Sequence, residues 1–267
     1  MSRRSVYLFG FVPPETRTPP ASVAGLDGAP VRVLELEGFA AAVADVDAER
    51  YGGAALEARL KDLSWVARQG AAHEKVVTWY ADHATILPAR LFTIFSSEDV
   101  LRAEARGRAV EIAGRLERFR DLREWDLKVH YDAGTLVEHL TELSESARVA
   151  REELRAASPG RRYLLERKHE EESRREAGRV ARREAHALLE ELRPLAEDAA
   201  ELELPRRADE LPVVLSAALL VRVDRADGLR ARAEERLGAL ERRGIHARLT
   251  GPWAPYRFVE REAAAHG

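Results

Sequence analysis

The residues of this sequence that are best suited to acid–base or metal chemistry are its histidines, and their spacing forms no recognisable site. His73 and Glu74 resemble the His-Glu start of a zinc-protease helix, but the second histidine is missing at the required position. His73 and His83 lie about three turns apart on one predicted helix, too far to share an ion. The eight histidines are His73, His83, His130, His139, His169, His186, His246 and His266. We therefore predict no metal site and no cofactor.

Other catalytic signatures are also missing from the sequence. The chain has no cysteine, which excludes disulfides, thiolate metal sites and cysteine nucleophiles. Gly52-Gly53 lacks the lysine and hydroxyl residue of a phosphate-binding loop, and no serine lies in a nucleophile elbow. The carboxylates cluster on predicted helices of alternating charge, where solvation is their usual role. We predict that the protein is not an enzyme.

Composition limits the partners of the chain. Its 267 residues carry 43 Lys and Arg against 46 Asp and Glu, so no basic face for nucleic acid is expected. The apolar run Leu215–Val221 is far too short to span a bilayer, and the early run Val6–Val12 is only long enough for a strand. These features predict a soluble, cytoplasmic protein without a membrane span.

The pattern of the first half of the chain predicts a mixture of strands and helices. Leu56, Leu60 and Leu63 recur at helical spacing, and a second helix is expected after Gly70. Ser97 is a candidate N-cap for a helix that runs to about Phe119. The predicted strands are Val6–Val12, Val31–Leu36, Phe39–Val46 and Thr85–Phe95, the last with apolar residues on both faces.

The second half begins with a strand of period two, in which Trp125, Leu127, Val129 and Tyr131 face one way. A long helical region, residues 134–201, follows and breaks at Pro159-Gly160 into a hairpin. A strand at 213–223, a helix at 226–243 and a strand at 246–250 complete the pattern. We therefore predict an α+β protein with two domains, residues 1–122 and 123–267. The second is expected to be ferredoxin-like, with an extended helical hairpin and a C-terminal tail.

The segment 166–176 of the hairpin, ERKHEEESRRE, contains no apolar residue. It is nevertheless expected to be helical, because acidic residues precede basic residues by four positions, and such pairs each contribute about 0.2–0.5 kcal/mol. The segment is predicted to project into water, either as a solvated arm or as an arm that docks a partner. Its candidate docking residues are Arg167, Glu170, Glu171, Arg174 and Arg175.

The tail TGPWAPYRFV, residues 250–259, concentrates large aromatic side chains between prolines. Gly251 and Pro252 are expected to end the last strand, since proline cannot donate to a β-ladder. Trp253, Tyr256 and Phe258 then have large surfaces to bury. They either clasp the tail onto a domain or, for Trp253 and Tyr256, stay partly open as a protein contact.

Three motifs lie at separate places along the sequence. The first, within 73–103, comprises His73, Glu74, Leu87, Pro88, Arg90, Thr93 and Phe95. The second is SPGRRYLLERK at 158–168, and the third is the Gly251, Pro252, Trp253, Pro255, Tyr256, Phe258 pattern of the tail. Together, in this order and over nearly the whole chain, they resemble the gas vesicle protein GvpL/GvpF family. The Ala89-Arg90-Leu91-Phe92 segment departs from the usual family form, so the resemblance does not separate the GvpL branch from the GvpF branch.

The resemblance implies a non-enzymatic accessory protein of gas vesicles, the gas-filled, protein-walled organelles that give cells buoyancy. Its implied partners are the small hydrophobic shell protein and other gas vesicle accessory proteins. Its implied location is the cytoplasm, in association with gas vesicles.

Two other functions remain open from the residues. A small-molecule regulatory module would need a pocket with convergent polar groups. An enzyme would need clustered titratable residues in a cleft. The sequence shows a motif for neither.

Overall fold

A computed structural model describes residues 4–204 and 211–265, apart from the side chains of residues 159, 163–165, 167, 263 and 265. The strands are β1 Arg4–Val12, β2 Val31–Glu35, β3 Ala40–Asp47, β4 Leu87–Pro88, β5 Ile94–Phe95, β6 Leu122–Tyr131, β7 Asp198–Glu201, β8 Val213–Arg222 and β9 Ile245–Trp253. The helices are α1 Ala48–Tyr51, α2 Gly53–Arg59, α3 Leu63–His83, α4 Glu98–Gly107, α5 Ala109–Arg118, α6 Ala133–Leu143, α7 Glu145–Ala156, α8 Pro159–Leu192, α9 Ala226–Glu241 and α10 Tyr256–Ala265.

The fold is α+β, as the sequence predicted, and it divides into two compact units. The first unit comprises Met1–Glu124 with Pro252–Gly267, and the second comprises Trp125–Gly251. The predicted division placed all of 123–267 in the C-terminal domain, whereas the structure groups the tail with the first unit. The physical reason is burial, because Ala254 and Tyr256 pack in the core of the first unit.

The first unit is built on an antiparallel sheet of order β2-β3-β1-β4, with β5 also paired to β1. Strand β1 is buried on both faces. Tyr7 and Phe9 pack in the core that contains α3, while Val6 and Leu8 pack on the opposite face with Leu101 of α4. Small alanines fill the neighbouring strand β3, which is fully buried at residues 40–44. Two-sided burial explains why these residues form a strand despite the low strand propensity of alanine.

The predicted strand Thr85–Phe95 is wrong in detail. Only Leu87–Pro88 and Ile94–Phe95 pair with β1, and residues 89–93 form a loop between them. Proline cannot donate to the ladder, and Phe92 adopts a φ of 65°, which extended strands do not use. The loop is held by hydrogen bonds from the Leu8 amide to the Thr93 carbonyl and from the Ala89 amide to the Phe9 carbonyl.

In the first unit the predicted N-cap is confirmed, whereas the predicted helix lengths are wrong. Ser97 accepts a hydrogen bond from the Val100 amide, as predicted for an N-cap. Asp62 caps α3 in the same way, and α3 continues through Gly70 instead of restarting there. The predicted helix from Ser97 to about Phe119 is interrupted at Arg108, between α4 and α5.

The second unit is a four-stranded sheet of order β7-β8-β6-β9. Its core joins one sheet face to α6, α8 and α9 through residues such as Leu127, Leu136, Leu188, Leu219 and Leu229. The predicted helical hairpin of residues 134–201 is wrong in two places. A further break at Ser144, which caps α7, makes three helices instead of two, and residues 198–201 pair antiparallel with β8. Pro194 lies in the short 3-10 turn Arg193–Leu195 that follows α8, where the chain leaves the helix.

The tail also differs from its predicted form. Gly251 and Pro252 do not end the last strand, since β9 continues to Trp253. Within the described residues β9 lies at the edge of its sheet, where a proline is tolerated because its missing N–H need not face a neighbour. Tyr256 to Ala265 then form a helix that the sequence analysis did not predict.

Replacement of Gly10 by alanine tests the close approach of β1 and β4. A Cβ atom at this position would lie 2.5 Å from the Leu87 carbonyl oxygen and 2.8 Å from Cγ1 of Ile86. We expect Gly10→Ala to lower the free energy of unfolding by about 1–3 kcal/mol in urea titrations.

The matched control is Gly114→Ala on α5, where a Cβ atom meets nothing within 4 Å. Alanine is favoured over glycine inside a helix, so Gly114→Ala should raise the free energy of unfolding by about 0.5–1 kcal/mol. A Gly10→Ala protein as stable as the wild type would contradict the proposed close contact.

Candidate functional site

The family-motif residue His73 lies on α3 at the centre of a buried hydrogen-bond chain. Its Nδ1 atom is 2.7 Å from the hydroxyl oxygen of Tyr7 on β1, and its Nε2 atom is 3.0 Å from the hydroxyl oxygen of Tyr256 on α10. The Tyr256 hydroxyl is also 3.3 Å from Oε2 of Glu74, the second motif residue. The chain therefore joins β1, α3 and the C-terminal helix within the first unit.

The donors and acceptors of this chain fix the direction of its protons. Tyr256 donates its one hydroxyl proton to the Glu74 carboxylate, so toward His73 its oxygen acts as the acceptor of a proton on Nε2. Nδ1 of the neutral ring then accepts from the Tyr7 hydroxyl, whose oxygen accepts from the Phe92 amide at 3.2 Å. The arrangement matches a neutral imidazole protonated at Nε2.

Burial favours the same protonation state. His73 is 3% exposed, and desolvation lowers its pKa from 6.5 to about 4. Burial also raises the pKa values of Tyr7 and Tyr256, and the nearby Glu74 carboxylate raises that of Tyr256 further. All three rings therefore stay uncharged near neutral pH.

Aromatic packing holds the imidazole ring in place. Phe9 stacks on His73 with ring centroids 5.6 Å apart, and Tyr7 meets it edge-on at 5.7 Å. With both ring nitrogens hydrogen-bonded, His73 has no lone pair directed at solvent. Its geometry is that of a structural tie between three elements.

A second contact within the first unit joins α10 to Glu124, the last residue of the segment 1–124. Glu124 is 2% exposed and accepts a hydrogen bond from the Arg257 amide at 3.0 Å. The Arg257 guanidinium pairs with the other carboxylate oxygen of Glu124. A charge-assisted pair with one buried member is geometrically demanding, so it fixes the position of the start of α10.

The predicted tail residues separate into buried and exposed members. Phe258 is 2% exposed, and Tyr256 is half-buried with its hydroxyl in the His73 chain. Trp253 is 39% exposed at the end of β9. The tail thus combines the clasp made by Tyr256, a buried Phe258 and an open aromatic surface at Trp253.

The other predicted motif residues serve the same region. Leu87 and Pro88 are buried and pair with Phe11 and Gly10 of β1. Arg90 donates to Glu260 of α10 at 2.6 Å, but its side chain is 77% exposed, so the pair contributes little to stability. Gly251 and Pro252 lie in β9, apart from the His73 chain.

The polar segment 166–176 is helical, as the sequence predicted. Glu170 pairs with Arg174 at 3.0 Å, and Glu171 pairs with Arg175, with all four side chains exposed. The segment does not stand wholly in water, however, because Ser173 is 8% exposed and Glu176 accepts hydrogen bonds from Ser144 and Ser146. The side chain of Arg167 lies outside the described residues.

Sequence reasoning missed two members of the site, Tyr7 and Glu124. A tyrosine within the apolar strand Val6–Val12 needs a partner for its buried hydroxyl, and that need was the one available signal for Tyr7. Glu124 gave no such signal, because a carboxylate near the start of a strand is ordinarily solvated.

The residues that the structure describes contain no group of three or more His, Cys, Asp or Glu side chains placed to hold a metal ion. None of the helices described combines the length and the hydrophobicity that a bilayer span requires.

Comparisons with known proteins point to one family. Residues 5–260 match the family described as gas vesicle synthesis protein GvpL/GvpF. Gas vesicle protein L of a Streptomyces species is 31% identical over 260 residues, which are 96% of this chain and 93% of that protein. Gas vesicle protein L1 of Halobacterium salinarum is 27% identical over 89% of this chain and 84% of its own length.

Solved structures of gas vesicle protein GvpF show the same fold. The Anabaena protein has a TM-score of 0.69 at 18% identity and covers 97% of this chain and 98% of its own. The Microcystis aeruginosa protein has a TM-score of 0.65 at 18% identity, with 96% and 98% covered.

Replacement of Tyr256 by phenylalanine tests the hydrogen-bond chain. The change removes the partner of His73 Nε2 and leaves a buried N–H group unsatisfied. We expect Tyr256→Phe to lower the free energy of unfolding by about 1–3 kcal/mol in urea titrations.

The matched control is Tyr80→Phe on α3, because the buried Tyr80 hydroxyl has no hydrogen-bond partner among the described residues. It should leave stability unchanged or slightly raised. Equal losses from both variants would show that hydroxyl removal alone, not the His73 contact, causes the effect.

The pH dependence of stability tests the state of His73. The pKa of His73 is 6.5 before folding and about 4 in the folded protein. Between these values the unfolded chain binds more protons, so stability falls as the pH is lowered through this window, by up to about 3 kcal/mol in all.

Urea titrations of wild type and His73→Gln at a series of pH values between 7 and 4 isolate this contribution. The wild-type curve should fall more steeply with decreasing pH than the His73→Gln curve. Parallel curves would show that the pKa of His73 does not change on folding.

Proposed function

This chain belongs to the gas vesicle synthesis protein GvpL/GvpF family, and from that premise we propose that it acts in gas vesicle assembly as a binding protein without catalytic activity. Its proposed partners are the small shell protein and other gas vesicle accessory proteins, and its proposed location is at the gas vesicle. The observation that supports this most is the extent of the match, since 96% of the chain aligns with 93% of a gas vesicle protein L.

The geometry around His73 supports a non-catalytic role. His73 is the family-motif residue best suited to proton transfer, yet Tyr7 and Tyr256 engage both of its nitrogens. A general base needs a free lone pair within hydrogen-bond reach of its substrate. The motif is therefore better explained by the fold that it closes than by a reaction.

The exposed aromatic Trp253 is our preferred contact with a partner. Tryptophan is enriched among the residues that carry most of the binding energy of protein interfaces. Trp253 is 39% exposed and ends β9, which is an edge strand within the described part of the chain. A strand-rich, apolar partner could pair with such an edge and cover the indole at the same time.

The segment 166–176 offers a weaker contact surface. Its pairs Glu170–Arg174 and Glu171–Arg175 already satisfy its charges on the helix surface. A partner that buried these pairs would have to desolvate them, which offsets much of the gain. The segment therefore fits a solvated helix better than a binding surface. A partner that bound it would need polar groups to match its charged side chains.

We also infer that the second unit is ferredoxin-like. In chain order it runs β6, a helical insertion, β7, β8, α9 and β9. Its sheet order, β7-β8-β6-β9, places the first and third strands of the unit side by side at the centre. This is the strand and helix succession of the ferredoxin-like motif, with α6 to α8 in place of its first helix.

The rival function, a small-molecule regulatory module, needs a pocket in which polar groups converge. The first unit holds a cavity lined mainly by apolar side chains such as Leu8, Leu101 and Ile112. This lining disfavours a polar metabolite at that cavity and is compatible with protein binding.

Co-expression with the gas vesicle shell protein and with each accessory protein tests the proposal. The tagged wild-type chain should co-purify with at least one of them. Trp253→Ala should weaken that association roughly ten-fold or more, while the variant still unfolds in one cooperative transition, because Trp253 is 39% exposed and lies outside the buried cores.

The matched control is Leu63→Ala, which removes an exposed apolar side chain, 79% exposed, from the first unit. It should not change the association. If the wild-type chain fails to associate where other gas vesicle proteins co-purify with one another, the proposed function is wrong. If Trp253→Ala and Leu63→Ala behave alike, Trp253 is not the contact.

A further inference from the structure

The fold leaves one family motif without a structural explanation. It is SPGRRYLLERK at 158–168, which begins at the turn between α7 and α8 in the second unit. None of the residues described between 148 and 172 is buried. Packing in a core therefore does not account for this motif, whereas it does account for the motifs that contain His73 and Tyr256.

The α7–α8 turn, residues 155–162, carries three exposed arginines. Arg155 lies in the last turn of α7, and Arg161 and Arg162 lie in the first turn of α8. Among the described residues, no carboxylate lies within ion-pair distance of any of the three. The Arg162 guanidinium donates to the Arg155 carbonyl oxygen at 3.4 Å, which joins the two helix ends without neutralising a charge.

Arginines further along α8 differ in this respect. Arg174 pairs with Glu170 at 3.0 Å, and Arg175 pairs with Glu171. These four side chains are as exposed as those of the turn, so exposure alone does not prevent pairing. The arginines of the turn are therefore set apart by their free charge.

The position of Arg161 and Arg162 is also unfavourable for the helix that carries them. The first turn of a helix is the positive end of its dipole, where acidic residues stabilise and basic residues destabilise. The first turn of α8 contains no acidic residue, and the Ser158 side chain makes no capping hydrogen bond. By comparison, α4 begins with Glu98 and Asp99. A departure from a local stability rule is typical of a functional site.

The chemistry of the turn favours carboxylates as the partner. A guanidinium group binds a carboxylate through two parallel N–H···O bonds, and arginine clusters are a recurring means of recognising acidic segments. Glu152, Glu153 and Glu166 lie within about one helical turn of the arginines. They would repel a long polyanion such as a nucleic acid, whereas a short acidic segment matches the few positive charges of the turn.

We propose that the arginines of the α7–α8 turn bind a short acidic segment of a gas vesicle partner protein. The inference rests on the proposed function and adds a second contact surface to that at Trp253. Complementary exposed charges raise the rate of association and restrict the choice of partner. Because these charges face water, salt should weaken the contact.

The first experiment uses a fluorescently labelled hexaglutamate peptide as the probe of the full chain. Anisotropy titrations of the wild type should show saturable binding that weakens as sodium chloride is added. The turn variant, Arg161→Gln with Arg162→Gln, should bind the peptide roughly ten-fold more weakly, because two charge-assisted contacts are lost.

The matched control is Arg174→Gln with Arg175→Gln, which removes two exposed arginines of the same helix that already have acidic partners. Both variants have the same net charge. The control should bind the peptide as tightly as the wild type does.

Thermal unfolding separates a binding role from a structural role. Removal of two positive charges from the N-terminal turn of α8 should leave the unfolding temperature equal to or above that of the wild type. A lower unfolding temperature for the turn variant would assign these arginines to the stability of the fold and overturn the proposal.

The second experiment measures co-purification of the gas vesicle partner that the wild-type chain retains. The turn variant should retain roughly ten-fold less of it, and the control variant should retain all of it. Unlabelled hexaglutamate should release the partner from the wild type.

The outcomes separate the surface from the function. Loss of both peptide and partner in the turn variant alone supports the proposal. Equal losses in the two variants show a general effect of net charge and overturn it. Retention of the partner by a turn variant that no longer binds the peptide overturns the partner contact.

The absence of saturable peptide binding by the wild type also overturns the acidic segment. If vesicles of phosphatidylserine and phosphatidylcholine bind the wild type in its place, and the turn variant does not bind them, the surface belongs to an anionic membrane. A wild-type chain that retains no gas vesicle protein fails the proposed function itself, while the peptide titration still decides the chemistry of the turn.

Discussion

The first unit depends on a buried imidazole that needs a hydrogen-bond partner for each of its nitrogens. His73 finds one in Tyr7, on the first strand, and the other in Tyr256, 183 residues further along the chain. An unpaired polar group at such a depth would cost about 1–3 kcal/mol. His73 therefore has both of its hydrogen-bond partners only when the end of the described chain returns to its beginning.

This constraint explains the first and third family motifs as parts of one structure. The His-Glu pair supplies an imidazole and a carboxylate to the hydrogen-bond chain. The Leu87–Pro88 strand leads into the loop whose Phe92 amide donates a hydrogen bond to the Tyr7 hydroxyl oxygen. The tail motif supplies the second tyrosine and the helix that carries it. Arg257 and Glu124 strengthen the same closure. With the residues of these two motifs engaged in closing the fold, the candidate binding features are the exposed Trp253 and the arginines of the α7–α8 turn.

The sequence predicted the features that local chemistry determines and missed those that depend on distant partners. The apolar runs of β1 and β3, the Ser97 cap and the break in the helical region next to Pro159 all follow from residues within a few positions of one another. The strand β7 follows a helix and consists of weak strand formers, so only its pairing with β8 defines it. The tail helix and the partners of His73 were equally out of reach, since the spacing of a sequence does not show which segments meet.

The account requires that α10 be an integral part of the first unit, and native-state hydrogen exchange tests this most directly. If the His73 and Glu124 ties hold as described, the amides of residues 259–262 on α10 will exchange with the same opening free energy as the Leu8 amide of β1, which is buried in the sheet. Exchange of the α10 amides with an opening free energy near zero, while β1 stays protected, would contradict it.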